Sequence, residues 1–113
     1  MRVLLLLALA AASFPGVVAP SHGDFRMTVL DVFTITGAGV VVTGIVEGGP
    51  VRLKDVVCLR PAEGETRELT VESIERSRRT LEVADPGAAV GLLFAGIERG
   101  AIEEGDTLTA SCG

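Results

Sequence analysis

Histidine and cysteine are scarce in this sequence. Its 113 residues contain one histidine, His22, and two cysteines, Cys58 and Cys112. Without a Cys-x-x-Cys motif or a second histidine, the usual ligand sets of transition-metal sites are missing. A serine nucleophile also lacks a folded histidine as its base, because His22 falls in a predicted tail. Carboxylates are plentiful, but no spacing singles out an acid and a base. We therefore expect a protein that is not an enzyme and that binds no metal or cofactor.

The sequence also lacks an excess of positive charge. Ten Lys and Arg residues stand against 15 Asp and Glu residues, which gives a formal net charge of −5 at pH 7. Such a chain is not drawn to phosphate polymers, so a nucleic-acid partner is not expected. The phosphate-binding motif GxxxxGK followed by Ser or Thr is absent. We therefore expect neither GTP binding nor nucleotide hydrolysis.

The first 23 residues, MRVLLLLALAAASFPGVVAPSHG, have the layout of a secretory signal peptide. Arg2 supplies the positive start, residues 3–12 form an unbroken apolar run, and small residues follow. Cleavage after Ala12 or at a nearby site is favoured, because a cut after Ala19 would leave proline next to the cleaved bond. The pattern predicts an exported protein, periplasmic or secreted, whose folded domain covers residues 24–113.

An uncleaved membrane anchor is the alternative for this segment. Its apolar core is shorter than the span of ~20 residues that crosses a bilayer, and Pro15-Gly16 interrupts it. We therefore expect no stable membrane span after cleavage. The two cysteines of the folded part suit an exported domain, because closing the long loop between them as a disulfide would contribute about 4 kcal/mol in the chain-entropy model. Two buried thiols packed as small hydrophobic side chains are the alternative.

From Phe25 onward the apolar residues recur with a period of two, which is typical of β-strands. In residues 25–36 the odd positions are apolar and predict one inward-facing row, broken by Asp31: Phe25, Met27, Val29, Phe33 and Ile35. Gly37-Ala38-Gly39 predicts a tight turn, and residues 40–46 return as a strand. Gly44 inside that strand indicates a bulge or a close approach of another backbone.

Later segments continue the pattern. Residues 56–60 predict a short strand, and residues 68–72 alternate again. Residues 76–88 are expected to cross the surface as a long polar loop, and VGLLFAGI, apolar on both faces, predicts a central strand. A single helical turn is expected within ERGAIEEGD. About six strands in so few residues predict an all-β fold, a small closed antiparallel β-barrel, because closure hides exposed strand edges.

Three stretches carry a family resemblance. DVFTITGAGVVVTGIVEGG, VRLKDVVCLR and VESIERSRRTLEVADPGAAVGLLFAGIERGAIEEGDTL resemble the second domain of translation elongation factor Tu and its relatives. The likeness extends from about Phe25 to Leu108, and VVTGxVExG, VGLLxxGI and GDTL make it specific. It implies a β-barrel that binds rather than catalyses. In those factors the barrel helps to hold the aminoacylated end of tRNA and packs on a GTPase domain.

The resemblance also implies site residues. Asp31 and Phe33 match the family's DVF, which contributes to the pocket for the aminoacyl end. The family's turn and strand arginines are replaced here by Ala38, Ile45 and Ala95. Because phosphate affinity depends on such cations, we do not expect this chain to bind tRNA. The residues alone favour a local backbone hydrogen bond for Asp31 and a place in the core for Phe33, with a ligand-facing role as the alternative for each.

Arg76, Arg78 and Arg79 form the one basic cluster of the sequence. Two interpretations remain open: a solvated loop, or a docking patch for an anionic or protein partner. Taken together, the sequence favours a non-catalytic exported binding module with a protein or peptide partner. The alternative is a cytosolic, translation-related RNA-binding or accessory factor, for which residues 1–23 would be only an apolar tail.

Overall fold

The computed structural model of this protein describes residues 22–113, and the predicted signal peptide lies outside them except for the last two residues of its segment 1–23. The described chain contains strands and short 3-10 turns but no α-helix, which confirms the all-β prediction. The strands are β1 (Arg26–Thr28), β2 (Asp31–Ile35), β3 (Gly39–Ile45), β4 (Val51–Arg52), β5 (Val56–Arg60), β6 (Arg67–Thr70), β7 (Ser73–Arg76), β8 (Arg79–Leu81), β9 (Val83–Ala84), β10 (Ala89–Phe94) and β11 (Thr107–Thr109). The 3-10 turns are His22–Asp24 and Arg99–Ala101, and the second confirms the predicted helical turn.

The strands pair antiparallel in three sheets. Their orders are β1-β11-β5-β6, β2-β3-β10-β7-β8 and β4-β9. Backbone bonds also involve the segments between the strands: Arg26 and Glu47 exchange two, of 2.9 and 2.8 Å, and the Lys54 N–H donates to the Val71 carbonyl at 2.8 Å. Eleven short strands replace the six expected, partly because a kink divides the first predicted strand and partly because β8 and β9 form in a segment predicted as a loop. Closure of these sheets into one barrel stays a prediction.

A kink at residues 29–30 divides the first predicted strand and reverses its faces. There the Val29 N–H donates to the Asp106 carbonyl and the Leu30 N–H to the Thr43 carbonyl, each at 2.8 Å. The prediction that Phe33 and Ile35 continue the inward row is therefore wrong, because Val32 takes the buried position and both of these side chains are 44% exposed. Asp31 interrupts the row because the row itself ends at the kink.

The core lies between the sheets and takes one face of each long strand. Its largest fully buried members are Phe25, Met27, Leu59, Ile74, Leu92, Phe94, Ile102 and Leu108. Strand β10 lies between β3 and β7, as VGLLFAGI predicts for a central strand. The close approach predicted at Gly44 is also confirmed, because a Cβ there would lie 2.5 Å from the Thr28 carbonyl oxygen and 2.7 Å from Met27 Cγ.

The segment predicted as a long polar loop over residues 76–88 instead contains the last residue of β7 and the whole of β8 and β9. β7 and β8 form a hairpin in which Arg76 pairs with Arg79, and β9 pairs with β4. The prediction was wrong because Ser77-Arg78 carries no glycine or asparagine, the residues that normally mark a two-residue hairpin turn. The basic cluster therefore lies on a hairpin rather than on a free loop.

Cys58 and Cys112 form a disulfide with a Cα–Cα distance of 4.9 Å. Cys58 is buried in β5, opposite Thr109 of β11, and Cys112 follows β11 by three residues. The bond therefore fastens the last residues of the chain to the middle of the four-stranded sheet. Of the two alternatives open from the sequence, the paired cysteines are the ones found.

Candidate binding groove

On the outward face of the five-stranded sheet, the paired residues of neighbouring strands form rows that run across the sheet. Phe33 lies opposite Val41, which lies opposite Leu93 of β10. In the next row Thr43 lies opposite Gly91, which lies opposite Glu75 of β7. Because side chains alternate along a strand, these residues share the face that points away from the core. A continuous strip of mostly apolar or small side chains thus crosses the sheet.

A groove of about 440 Å³ lies on this face. It runs from β2 across β3 and β10 to the turn between β7 and β8. Its lining combines an apolar part with a charged end: Leu30, Phe33, Val41, Thr43, Gly44, Glu75, Arg76, Ser77, Arg78, Ala89, Val90 and Gly91. We call it the Phe33 groove.

Gly91 forms part of the floor of the Phe33 groove. It sits in the central strand β10, where glycine weakens a strand because it contributes no side-chain packing. Its backbone does not lie in the left-handed region, so an ordinary residue is compatible with the local conformation. A Cβ at Gly91 would lie 3.2 Å from Val41 Cγ1 and would raise the floor. The absent side chain therefore leaves depth for a ligand.

The β2 end of the Phe33 groove is apolar and open to solvent. Leu30 is 57% exposed and Phe33 44% exposed. Transferring such surface from water to an apolar partner stabilises a complex by roughly 25 cal/mol per Å². Exposed apolar side chains that lie together around a depression are typical of binding surfaces.

The opposite end is formed by the β7–β8 turn. Ser77 and Arg78 have positive φ angles of 52° and 67°. Both central residues of a type I′ turn need such angles, which non-glycine residues adopt at a cost. Arg76, Arg78 and Arg79 are all exposed. Within residues 22–113 none of the three takes part in an ion pair, since the ion pair found there joins Lys54 to Glu72.

The structure brings together part of the site predicted from the sequence. Phe33, Arg76 and Arg78 line the same groove, although Phe33 precedes the two arginines by more than 40 positions in the chain. Asp31 and Arg79 are exposed but are not among its lining residues. The alternative that places Phe33 in the core is wrong. A ligand role for any of these residues stays a prediction.

Asp31 makes a local contact. Its Oδ1 accepts a hydrogen bond of 2.9 Å from the Val32 N–H, which agrees with the backbone role left open for it. The Val32 carbonyl in turn accepts a bond of 3.1 Å from the Arg99 guanidinium. Both polar groups of the Val32 backbone are thus bonded to side chains on the side of β2 that faces away from β3.

A larger but more polar cavity, of about 560 Å³, lies between the loop after β5 and residues 100–106. Asp106, only 5% exposed, is its buried acid. Its carboxylate accepts bonds from the Ala62 N–H at 3.2 Å and the Glu103 N–H at 2.9 Å. Asp106 therefore serves to hold two loops together, and the cavity offers no buried polar group without a partner.

Sequence reasoning missed the apolar and small residues of the Phe33 groove, above all Val41 and Gly91. A signal for Val41 was present, since three successive valines in one strand cannot all face the core. Gly91 was read only as part of a central strand. Recognising both residues requires knowing how β2, β3 and β10 are paired, for example that Thr43 lies between Asp31 and Gly91. Alternation along one strand does not give this pairing.

The described part of the chain shows neither a metal-binding cluster nor a helix that could span a membrane. Within residues 22–113 no group of three or more His, Cys, Asp or Glu side chains is placed to hold a metal ion. Over the same residues, no helix has the length and apolar character needed to cross a bilayer. The predicted absence of a cofactor stays a prediction.

The chain matches a known protein family. The family described as elongation factor Tu domain 2 matches residues 39–109, from the first residue of β3 to the last of β11. Gly91 and the β7–β8 turn lie inside the match, whereas Asp31 and Phe33 lie before it. The match supports the family resemblance of the fold.

Proposed function

Because the chain belongs to the elongation factor Tu domain 2 family, we propose that it is a translation-factor-type β domain that serves as an exported binding module. In this proposal the sheets close into a barrel, the module carries out no catalysis, and its partner is a protein or peptide. The predicted signal peptide over residues 1–23 and the disulfide between Cys58 and Cys112 support export, since such bonds persist in oxidising compartments.

The observation that carries the binding role is the exposed Phe33 in a groove on the outer sheet face. Its ring could have occupied the core, but the kink at residues 29–30 turns it outward. A large apolar side chain beside a depression is a typical anchor for a partner's side chain. Acidic overall charge and the loss of family arginines favour a peptide over nucleic acid.

A paired-variant selection tests this role. A library of displayed short peptides is selected on the disulfide-bonded domain and then compared on Phe33→Ser and Ile35→Ser. Ile35 is a matched control, because it lies on the same strand and face, is also 44% exposed and does not line the Phe33 groove. We expect binding to be lost with Phe33→Ser and kept with Ile35→Ser. Equal behaviour of the two variants would reject the groove as the binding site.

Export is tested by the intact mass of the protein from its native host, with alkylation under non-reducing conditions. The proposal is supported if the measured mass is lower than that of the full-length chain by the mass of the signal peptide and neither cysteine is alkylated. A full-length mass with two alkylated thiols contradicts it and favours the cytosolic, translation-related RNA-binding role, which the family membership by itself also supports. In that case, binding of single-stranded RNA to the purified domain is the next measurement.

A further inference from the structure

The basic hairpin is out of keeping with the charge of the protein. The chain has a net charge of −5, yet its β7–β8 hairpin presents Arg76, Arg78 and Arg79 within four residues. All three are exposed, and no carboxylate within residues 22–113 pairs with any of them. Two of them line the Phe33 groove. One end of the groove is therefore complementary to an anion, and the planar guanidinium is suited to a carboxylate because it donates two parallel hydrogen bonds.

The apolar and basic ends are separated by a distance that the sheet sets. From β2 to β7 the groove crosses three strand-to-strand steps, which amount to about 14 Å. An extended peptide advances roughly 3.3 Å per residue, so about four residues cover this distance. A ligand that uses both ends therefore carries an apolar side chain at one point and a negative charge about four residues away.

Glu75 limits where that negative charge can lie. It lines the groove directly before Arg76, opposite Gly91 of the floor. A ligand with several acidic side chains along its length would bring carboxylates close to Glu75, and like charges repel at that range. A single anion at the end of the ligand avoids this repulsion and reaches the arginines. A peptide's terminal carboxylate meets both conditions.

We propose that the Phe33 groove binds the free carboxyl terminus of a peptide. An apolar side chain packs against Phe33 and Leu30 at the β2 end, the ligand backbone passes over Gly91, and the terminal carboxylate bonds to the guanidinium groups of Arg78 and Arg76. This assignment rests on the proposed binding function and adds the chemistry of its ligand.

The backbone of the hairpin supports this assignment independently. Ser77 and Arg78 hold positive φ angles without the glycine or asparagine that would relieve them. Strained residues of this kind cluster at functional sites. Here both strained residues line the groove, and one of them, Arg78, carries a guanidinium. A tight two-residue turn fixes the Arg78 Cα, so that less freedom is lost when a ligand binds.

The test is a titration of the disulfide-bonded domain, observed through its backbone amide resonances. The probes are acetyl-Leu-Gly-Ser-Gly with a free carboxylate and the same peptide with a carboxyl-terminal amide. The variants are Arg78→Gln and, as a matched control, Arg52→Gln, since Arg52 is also exposed but lies on β4 outside the groove. We expect the carboxylate probe to shift the amides of Gly91 and Arg78. Its affinity should exceed that of the amide at least about tenfold, and Arg78→Gln but not Arg52→Gln should remove the difference.

Three outcomes overturn the assignment. If both probes shift the groove amides with equal affinity, the groove binds peptides without reading a carboxylate, and the proposed function stands. If neither probe shifts them while selected peptides still bind in a Phe33-dependent way, the ligand chemistry is wrong and the function again stands. If a single-stranded RNA oligonucleotide shifts the same amides at lower concentration than the carboxylate probe, the groove is a nucleic-acid site and both proposals fail.

Discussion

The two hairpins of the five-stranded sheet reverse the chain with different residues. The β2–β3 turn uses Gly37 and Gly39, with φ angles of 81° and 145°. The β7–β8 turn uses Ser77 and Arg78, with φ angles of 52° and 67°. Glycine reaches positive φ without a steric penalty, whereas a residue with a Cβ pays roughly 1–2 kcal/mol.

The difference in residue type between the two turns corresponds to their position relative to the Phe33 groove. Gly37 and Gly39 lie outside the Phe33 groove, and their turn serves only to connect two strands. Ser77 and Arg78 both line the groove. In the proposed binding mode, the strained position of the second hairpin carries a guanidinium that bonds to the ligand, whereas the first hairpin has glycine at its strained positions. Under this proposal, stability and binding are in conflict at the second hairpin but not at the first.

Removing the disulfide should cause the largest change in the free energy of unfolding and should leave the structure of both hairpins unchanged. In a Cys58→Ala, Cys112→Ala double variant we expect the free energy of unfolding to fall by about 4 kcal/mol, because the unfolded chain regains the freedom of a long loop. Urea denaturation measures this. The bond lies in the four-stranded sheet, so the amide resonances of both hairpins should keep their positions. A loss of stability below about 1 kcal/mol would contradict the expectation.

The first hairpin should be the less tolerant of a side chain. We expect Gly39→Ala to lower the free energy of unfolding by about 3 kcal/mol or more, because its Cβ would collide with the Phe94 carbonyl oxygen at a positive φ. Gly37→Ala is the matched control: its Cβ meets nothing within 4 Å, and only the φ penalty of about 1 kcal/mol applies. Equal losses in urea denaturation would show that the collision is relieved by movement of β10.

The second hairpin should gain stability from glycine. We expect Arg78→Gly to raise the free energy of unfolding by about 1 kcal/mol, since the φ penalty disappears. The same change should abolish discrimination between carboxylate and amide peptides. Arg79→Gly is the control, because Arg79 lies in β8, where glycine weakens the strand. If Arg78→Gly is neutral in urea denaturation, the turn is not strained and the contrast between the hairpins fails.

The smallest effect should come from Ser77→Asn. Asparagine tolerates the left-handed region better than serine and is preferred in type I′ turns, so we expect a gain of about 0.5 kcal/mol. Because the Arg78 side chain is retained, the carboxylate preference should not change. Urea denaturation of Ser77→Asn and Arg78→Gly, compared with each other, separates the effect of backbone strain in the turn from the effect of the Arg78 charge. Loss of binding in Ser77→Asn would mean that the serine hydroxyl itself contacts the ligand.

Strand content and family membership were the most predictable parts of this molecule. Period-two alternation, the glycine turn at residues 37–39 and the central strand β10 were all read from local patterns. The family match agrees with motifs that are local in sequence. The pairing of Cys58 with Cys112 was favoured but not decided by the sequence, because only the fold shows that their Cα atoms lie 4.9 Å apart.

The candidate site was less predictable because two local rules failed there. The kink at residues 29–30 depends on partners far along the chain, Thr43 and Asp106, so alternation alone assigned Phe33 to the wrong face. The hairpin at Ser77-Arg78 was missed because its residues contradict the usual turn preference. Both failures lie at the Phe33 groove, where local preference and the global structure disagree.

The hydrogen bonds around Val32 have a consequence for the behaviour of the protein in solution. An outward apolar strand at the edge of a sheet is a template on which other chains can add strands and aggregate. β2 is such a strand, but the Asp31 carboxylate occupies its Val32 N–H and the Arg99 guanidinium occupies its Val32 carbonyl. An incoming strand would have to displace both side chains. This protection allows Phe33 to remain exposed without making the domain prone to polymerise through its edge.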